Sequence, residues 1–456
     1  MRIVIAGCGK IGKAITGSLV ADEHEVVVID SKPEVIKTVS NTYDIMGICG
    51  SATDSDVLKD AGVNRAELFI ALTGSDELNM LCCFMAKKLG AKHTVARIRD
   101  LENNDTGFDF MKQQLELSLS VNPELLTAEA IYQILKLPSA IKVETFSSSR
   151  MEMVELYLPQ NTAVEGVSLG ELRKKFKTPF LVSVVGRGDK VFIPGGDFAL
   201  KAGDKIGLLA EKDDIGKILE ILEIQHKKVK SVIIMGAGIT SGYLASLLND
   251  DHIEVKIIEK DEAVCEKMCE ALPSGCTVVC GDGMSQDLLT EEGLDSADAF
   301  VALSGMSESN ILISFYAMQK NVSKVISKVN RDELSGIAEK LGLECVVSPK
   351  SIVADVVLQY ARALDKSSGD SQIETLYSVM GGLAEAHEFA VLPDFKFTDI
   401  PLKDLLRNSD ILVAGIVRGH KAIIPGGDDV IKEKDKVIVI TTTKNQIYKL
   451  SDVFRK

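Results

Sequence analysis

The chain has 456 residues, enough for two to four domains with separate cores. Its 52 lysines and arginines against 66 aspartates and glutamates give a formal charge of −14, which argues against nucleic acid or anionic lipid as an electrostatic partner. No run approaches the roughly 18 apolar residues of a spanning helix, and no charged n-region with a long apolar stretch marks a signal peptide, so direct membrane insertion is not expected.

Arg2 to Ala6 is a β-branched apolar run of the kind that forms a buried parallel strand, and it leads into Gly7-Cys8-Gly9-Lys10-Ile11-Gly12 and a helix. Gly7 makes the tight turn, Gly9 admits a pyrophosphate close to the backbone, and Gly12 lets the helix pack on the strand. The first helical turn then offers free N–H groups to phosphate, with Lys10 as a nearby cation. The second strand, Glu25 to Ile29, ends in Asp30, placed to accept from a ribose 2′-OH and to repel a 2′-phosphate.

Pro33 to Ser40 reads as a helix, and Asp44 to Cys49 as a third strand that ends in a turn carrying Thr53 and Asp54. Leu68 to Leu72 is the fourth strand, with Ala71, Leu72 and Thr73 at its carboxyl end. Thr94 to Ile98 is the fifth, with Arg97 and Arg99 flanking its end, at least one of them placed to reach a phosphate. Alternating strands and helices over about 120 residues predict a doubly wound parallel sheet with ligand at the strands' carboxyl ends. A helix follows from Asn122-Pro123 to Leu137. Residues 140–225 then carry short strands (Val154 to Leu158, Leu181 to Val185, Lys205 to Ala210) and glycine turns, which predicts a small α+β module.

The pattern then repeats. Gly236-Ala-Gly238 restates the opening loop 229 residues after Gly7, and Glu259 stands 229 residues after Asp30. Gly281, Asn310, Arg418 and the Ile424-Pro-Gly-Gly-Asp428 run follow Gly50, Asn79, Arg187 and Ile193-Pro-Gly-Gly-Asp197 at an offset of 231. The chain is therefore a tandem duplication: an α/β protein with two Rossmann-like doubly wound parallel sheets, each followed by a small α+β module. The expected domains are 1–138, 140–225, 229–365 and 369–456. In the second loop Ser241 replaces Gly12 and Ile239 replaces Lys10, so Gly236, Gly238 and Glu259 outline a second, degraded site.

The nine cysteines fit a reducing compartment better than a disulfide framework. Cys265, Cys269, Cys276 and Cys280 have the only metal-like spacing, but lack C-x-x-C knuckles and read as buried packing rather than a metal site. An NAD-dependent oxidoreductase is the alternative reading, and it needs a proton-transfer group facing the nicotinamide. The histidines offer no good candidate: His24 and His252 fall in matching helix-to-strand turns, and His93, His226, His387 and His420 read as surface residues in loops or strand ends.

The order of these motifs resembles the RCK (also called KTN) family of potassium-transport regulators. The resemblance rests on the glycine loop with its acidic strand end, the Gly50-x-x-Thr53-Asp54 and Gly281-Asp-Gly-Met284 turns, the Ala71-to-Asn79 stretch, and the Arg and Pro-Gly-Gly-Asp motifs of the small modules. Two such pairs in one chain are similar to the peripheral regulatory subunits of Trk potassium-uptake systems. The resemblance implies a cytoplasmic non-enzymatic homotetramer, a ring of eight such folds, docked beneath a TrkH- or TrkG-like membrane subunit. It also implies NAD(H) or ATP/ADP as ligand, at Gly7, Gly9, Lys10, Ile11, Gly12, Asp30, Ala71, Leu72, Thr73 and Arg97. Cys8, Thr53 and Asp54 complete the first site. The sequence departs from the family at Gly50-Ser51, where Gly-Asp is common, and at Ser241.

Overall fold

The computed structural model describes the chain except residues 100–110, 148–149, 161, 163, 177, 225–226, 365–370, 406–409, 444, 446, 448 and 455–456. His226 and the boundaries expected at 225, 365, 369 and 456 lie outside the described residues.

The first fold is built as its apolar runs dictate. Strands β1 (Arg2–Ala6), β2 (Glu25–Asp30), β3 (Met46–Cys49), β4 (Leu68–Ala71), β5 (His93–Arg97) and β6 (Leu119–Val121) form one sheet in the order β3-β2-β1-β4-β5-β6. The pairs are parallel. Helices α1 (Lys10–Ala21), α2 (Pro33–Tyr43), α3 (Ser55–Asp60), α4 (Asp76–Leu89) and α5 (Pro123–Lys136) accompany it. Strand β1 pairs with both β2 and β4, so the strand order reverses beside its carboxyl end, where this architecture opens a crevice. The edge strand β6 has only three residues and no turn signal, and sequence periodicity missed it.

The second repeat gives the same sheet from β12 (Ser231–Met235), β13 (Glu254–Glu259), β14 (Cys276–Cys280), β15 (Ala299–Ala302), β16 (Lys324–Lys328) and β17 (Cys345–Val347), ordered β14-β13-β12-β15-β16-β17. Contacts, however, divide the chain differently from its repeat. One compact unit comprises Met1–Glu129 with Lys328–Asp332 and Val347–Ala361, and the other comprises the remainder. Stretches from the end of the second fold thus belong with the first: Tyr360 Oη lies 3.4 Å from His93 Nδ1.

Within the other unit each small module is a five-stranded sheet. The first runs β10 (Lys190–Phe192), β9 (Phe180–Arg187), β11 (Lys205–Glu211), β8 (Met151–Tyr157), β7 (Lys142–Phe146). The second runs β18 (Ser371–Val379), β19 (Ala384–Val391), β22 (Lys436–Thr442), β20 (Ile411–Arg418), β21 (Lys421–Ile423). The arginines singled out as repeat landmarks clamp buried aspartates: Arg187 donates from Nε and Nη2 to Asp204 at 2.7 Å each, and Arg418 donates likewise to Asp435 at 2.8 and 2.7 Å.

The two small sheets share one core, in which Phe146, Met151 and Met153 meet Met380, Ala386, Ala414 and Ile440. Their joint is reciprocal. Glu155 accepts from the Met380 N–H at 3.1 Å, and Glu388 accepts from the Ser147 N–H at 3.2 Å and from the Ser147 hydroxyl. Met380 and Ser147 both hold a positive φ, 53° and 50°, and each glutamate is 1% exposed. Lys205 lies 2.8 Å from Glu155, and Thr375 donates to Glu388 at 3.1 Å.

Two expectations are corrected here. His387 is fully buried inside β19, its Nε2 3.0 Å from Glu385, because strand alternation turns it inward against Phe389. Of the four cysteines with metal-like spacing only Cys265 is buried; Cys269 and Cys280 are exposed, because they fall on the outer face of their helix and on an edge strand.

A buried carboxylate that satisfies several donors is costly to remove, since each donor is left unpaired. Glu388→Ala should lower stability by about 2–4 kcal/mol, read as an earlier denaturant midpoint, and Glu388→Gln by less. An unchanged midpoint for Glu388→Ala would show that the reciprocal joint does not hold the modules.

Candidate functional site

The crevice at β1 is shaped by two glycines that cannot be replaced and one that can. Gly7 has φ +94°, and a Cβ there would come 2.7 Å from the backbone of Leu72. A Cβ at Gly12 would drive into the Gly7 carbonyl oxygen, so α1 packs directly on the end of β1. At Gly9 a Cβ would meet nothing within 4 Å: the space above it is open. Helix geometry leaves the first amides of α1 without intrahelical partners, and they face this space. Lys10, the first residue of α1, is exposed beside it, and Ile11 is partly buried.

Asp30 closes the other side. Its carboxylate accepts from the Cys8 N–H at 2.8 Å and from the Lys32 N–H at 3.0 Å, which fixes the loop after β1 to the end of β2. A carboxylate has about four acceptor positions, so capacity for a ribose hydroxyl remains. Cys8 itself is fully buried, and its thiol is pushed up to about 12 by burial, then by Asp30. It therefore lines the loop through backbone alone.

The remaining first-site candidates divide by role. Ala71 and Leu72 are buried, and the Leu72 N–H is bound to Ala6 O at 2.7 Å. Thr73 is tied down by Asn79, whose Oδ1 accepts from the Thr73 N–H and hydroxyl at 2.7 Å each and whose Nδ2 donates to Arg97 O at 2.8 Å. This fully buried asparagine, a repeat landmark with no assigned role, joins the ends of β4 and β5. Asp54 caps α3 by accepting from the Asp56 N–H at 2.8 Å, and Thr53 Oγ1 lies 2.8 Å from Ser51 Oγ. Arg99 is committed to Asp76, through its N–H at 2.7 Å and Nε at 3.2 Å, and to Gly74 O. Arg97 is not so held: Nη2 stands 3.9 Å from Glu124, and its buried Nε has no hydrogen-bond partner. Burial, with Arg99 beside it, pushes the Arg97 guanidinium below its ordinary value against the pull of Glu124.

The second site keeps the plan and changes its phosphate end. Gly236 has φ +100°, and Glu259 accepts from the Ala237 N–H at 2.9 Å as Asp30 does from Cys8. Glu259 also accepts from the Lys260 and Asp261 N–H groups at 2.8 and 3.1 Å. The space above Gly238 is open. Ser241, fully buried, donates its hydroxyl to Gly236 O at 2.6 Å and its N–H to Gly238 O at 2.9 Å, so one helix-end donor is turned back on the loop. At the position of Lys10 stands Ile239, 49% exposed, which offers phosphate no charge.

Family models described as the TrkA-N domain match residues 3–108 and 232–349, and models described as the TrkA-C domain match 153–223 and 386–454. The chain is 31% identical over 455 residues to the Trk system potassium uptake protein TrkA homolog of Archaeoglobus fulgidus, covering 100% of both. It is 26% identical over 463 residues to the Trk system potassium uptake protein TrkA of Haemophilus influenzae, covering 100% of this chain and 99% of that protein. Among solved structures it is similar to the GsuK RCK domain, with TM-score 0.63 and 18% identity over 97% of this chain and 92% of that one. It is also similar to the GsuK channel bound to NAD, with TM-score 0.61 and 17% identity over 97% and 77%. These structural likenesses show the fold.

The glycine geometry separates folding from binding. Gly12→Ala should destabilise the protein by more than about 1 kcal/mol, as overpacking against backbone does. Gly9→Ala should change stability by less than about 0.5 kcal/mol, as a methyl added into open space does, while filling the cradle. Thermal melts of the two variants check this; equal melting shifts would contradict the geometry.

Proposed function

The chain belongs to the TrkA family, its TrkA-N and TrkA-C domains each present twice, and from that premise we propose that it is a nucleotide-sensing regulatory subunit for potassium uptake. In this reading it works in the cytoplasm, on the inner face of the cell membrane, as a homotetramer that presents a ring of eight folds to a TrkH- or TrkG-like membrane subunit. Among the described residues no helix is long and apolar enough to cross a membrane, so a membrane role would pass through such a partner. It catalyses no reaction of its own.

The observation that carries the reading is the first cradle: an open space above Gly9, enclosed by α1 and by an anchored Asp30. That cradle suits the pyrophosphate and ribose of NAD(H) or ATP/ADP, and the similar GsuK channel has been solved bound to NAD. Gly7, Gly9, Lys10, Ile11, Gly12 and Asp30 would hold the ligand, Ala71, Leu72 and Thr73 would line it, and Arg97 would face its far end. The second site, with Gly236, Gly238 and Glu259, would bind more weakly for want of Lys10 and a free amide. A nucleotide moves such an assembly only if it binds one arrangement more tightly than another.

Calorimetric titration of the purified protein with NADH, NAD, ATP and ADP tests the reading. It should show fewer strong sites than nucleotide folds. Asp30→Ala should weaken binding by about 1.5–3 kcal/mol, the usual worth of a hydrogen bond to a charged group. No nucleotide binding, equal tight binding in both folds, or steady NADH consumption with an added substrate would each contradict it.

A further inference from the structure

The second copy keeps the frame of the first site and changes what stands around it. Gly236 holds its positive φ, and the space above Gly238 is open. Asn310 Oδ1 accepts from the Ser304 N–H and hydroxyl at 3.0 and 2.6 Å, as Asn79 does from Thr73. The loops that follow the strands are tied together at this end of the sheet. The Leu303 N–H donates to Met235 O at 2.8 Å, and the Gly281 N–H donates to Glu259 O at 2.7 Å. A Cβ at Gly236 would come 3.0 Å from the Ser304 backbone, and one at Gly283 would press on the Met235 side chain. The loops carrying Ile239, Met284 and Met306 therefore all adjoin the end of β12.

Those three are large apolar side chains, and all are exposed. Their counterparts in the first copy are Lys10, Thr53 and Ser75, at offsets of 229, 231 and 231. One exposed methionine or isoleucine is ordinary, but three on the loops about one open cradle, each in place of a polar residue, give that cradle an apolar rim. The same comparison removes the charge a phosphate needs. Gly242 stands for Lys13 and Asp282 for Ser51, and Lys260 is the only cation among residues 236–242, 259–261, 281–285 and 303–307. The helix end does not compensate, because Ser241 turns its N–H back to Gly238 O at 2.9 Å.

The ribose acceptor survives these changes. Glu259 Oε1 accepts from the Lys260 and Asp261 N–H groups and Oε2 from the Ala237 N–H, which leaves about one of a carboxylate's four acceptor positions for a hydroxyl. A sugar hydroxyl is thus welcome at the end of β13, whereas a phosphate over Gly238 would meet apolar side chains and carboxylates instead of lysines. An anion so placed loses its hydration without gaining a partner.

We propose that the second cradle binds a ribonucleoside that carries no phosphate, with its ribose on Glu259 and an uncharged, apolar 5′ substituent against Ile239, Met284 and Met306. The inference rests on reading the glycine cradles as ligand sites, and it gives the second copy a ligand class of its own in place of a weakened version of the first. Adenosine is the part common to NAD(H), ATP and ADP, so adenosine and 5′-deoxy-5′-methylthioadenosine are the probes.

The test is calorimetry on the full-length protein with the first fold saturated by NADH. Methylthioadenosine should bind about fourfold more tightly than adenosine, the worth of one buried methylene-sized group. ADP should bind about tenfold more weakly than either, as a charged group left without its partner does. Ile239→Lys, at an exposed position, should reverse the order by tightening ADP about tenfold, the worth of a hydrogen bond to a charged group. In the wild-type protein methylthioadenosine should protect Met284 and Met306 from oxidation by peroxide, read by mass spectrometry, and ADP should not; this readout needs no variant to fold. No nucleoside binding beside intact NADH binding, a wild-type preference for ADP, or binding that leaves both methionines unprotected would overturn the proposal. Absence of NADH binding would overturn the proposed function, and the methionine protection by methylthioadenosine would still decide this inference.

Discussion

The packing of α1 on the end of β1 is the constraint from which the first site follows. With no side chain at Gly12 the helix start approaches the Gly7 carbonyl directly, and with none at Gly9 the amides of that turn stay open to a ligand. Asp30 then ties the same loop to the neighbouring strand through the Cys8 N–H. The shape of the loop and the position of the Asp30 carboxylate are thus one structure. In the second copy the contact is relaxed by a serine that binds the corresponding carbonyl, and the helix end loses part of its donor capacity.

Duplication lets the protein use equivalent residues for different purposes. Glu155 and Glu388 each reach into the opposite small module to hold a residue of positive φ, so the joint between modules is built twice from one pattern. These glutamates make a fixed joint of satisfied buried groups. At the end of β5, in contrast, Arg97 Nε and Glu124 Oε2 are buried without hydrogen-bond partners.

Much of the fold was legible because buried parallel strands are short apolar runs and because each glycine loop follows one of them directly. The offset of 229 to 231 residues made the architecture readable twice. Short edge strands such as β6 and β10 carry too few residues for a period to show. Arg187 and Arg418 were visible as landmarks, but their aspartate partners lie 17 positions away, a pairing that only the sheet brings about. The burial of His387 is not legible in the sequence, because a histidine between Glu385 and Glu388 looks solvated and burial depends on the facing sheet, which local sequence does not encode. Of the candidate site residues, the glycines and Asp30 lie together about the cradle, whereas the Asp54 carboxylate is engaged in capping a helix.

The central claim is that nucleotide occupancy of the first fold controls potassium movement through another protein. The most direct measurement is potassium flux into vesicles carrying a TrkH- or TrkG-like subunit, with and without this protein, in the presence of each nucleotide in turn. The account predicts that flux depends on the added protein, differs between ATP and NADH, and loses that difference when Gly9 or Asp30 is substituted. Flux indifferent to the protein, or equally supported by every nucleotide, would contradict it.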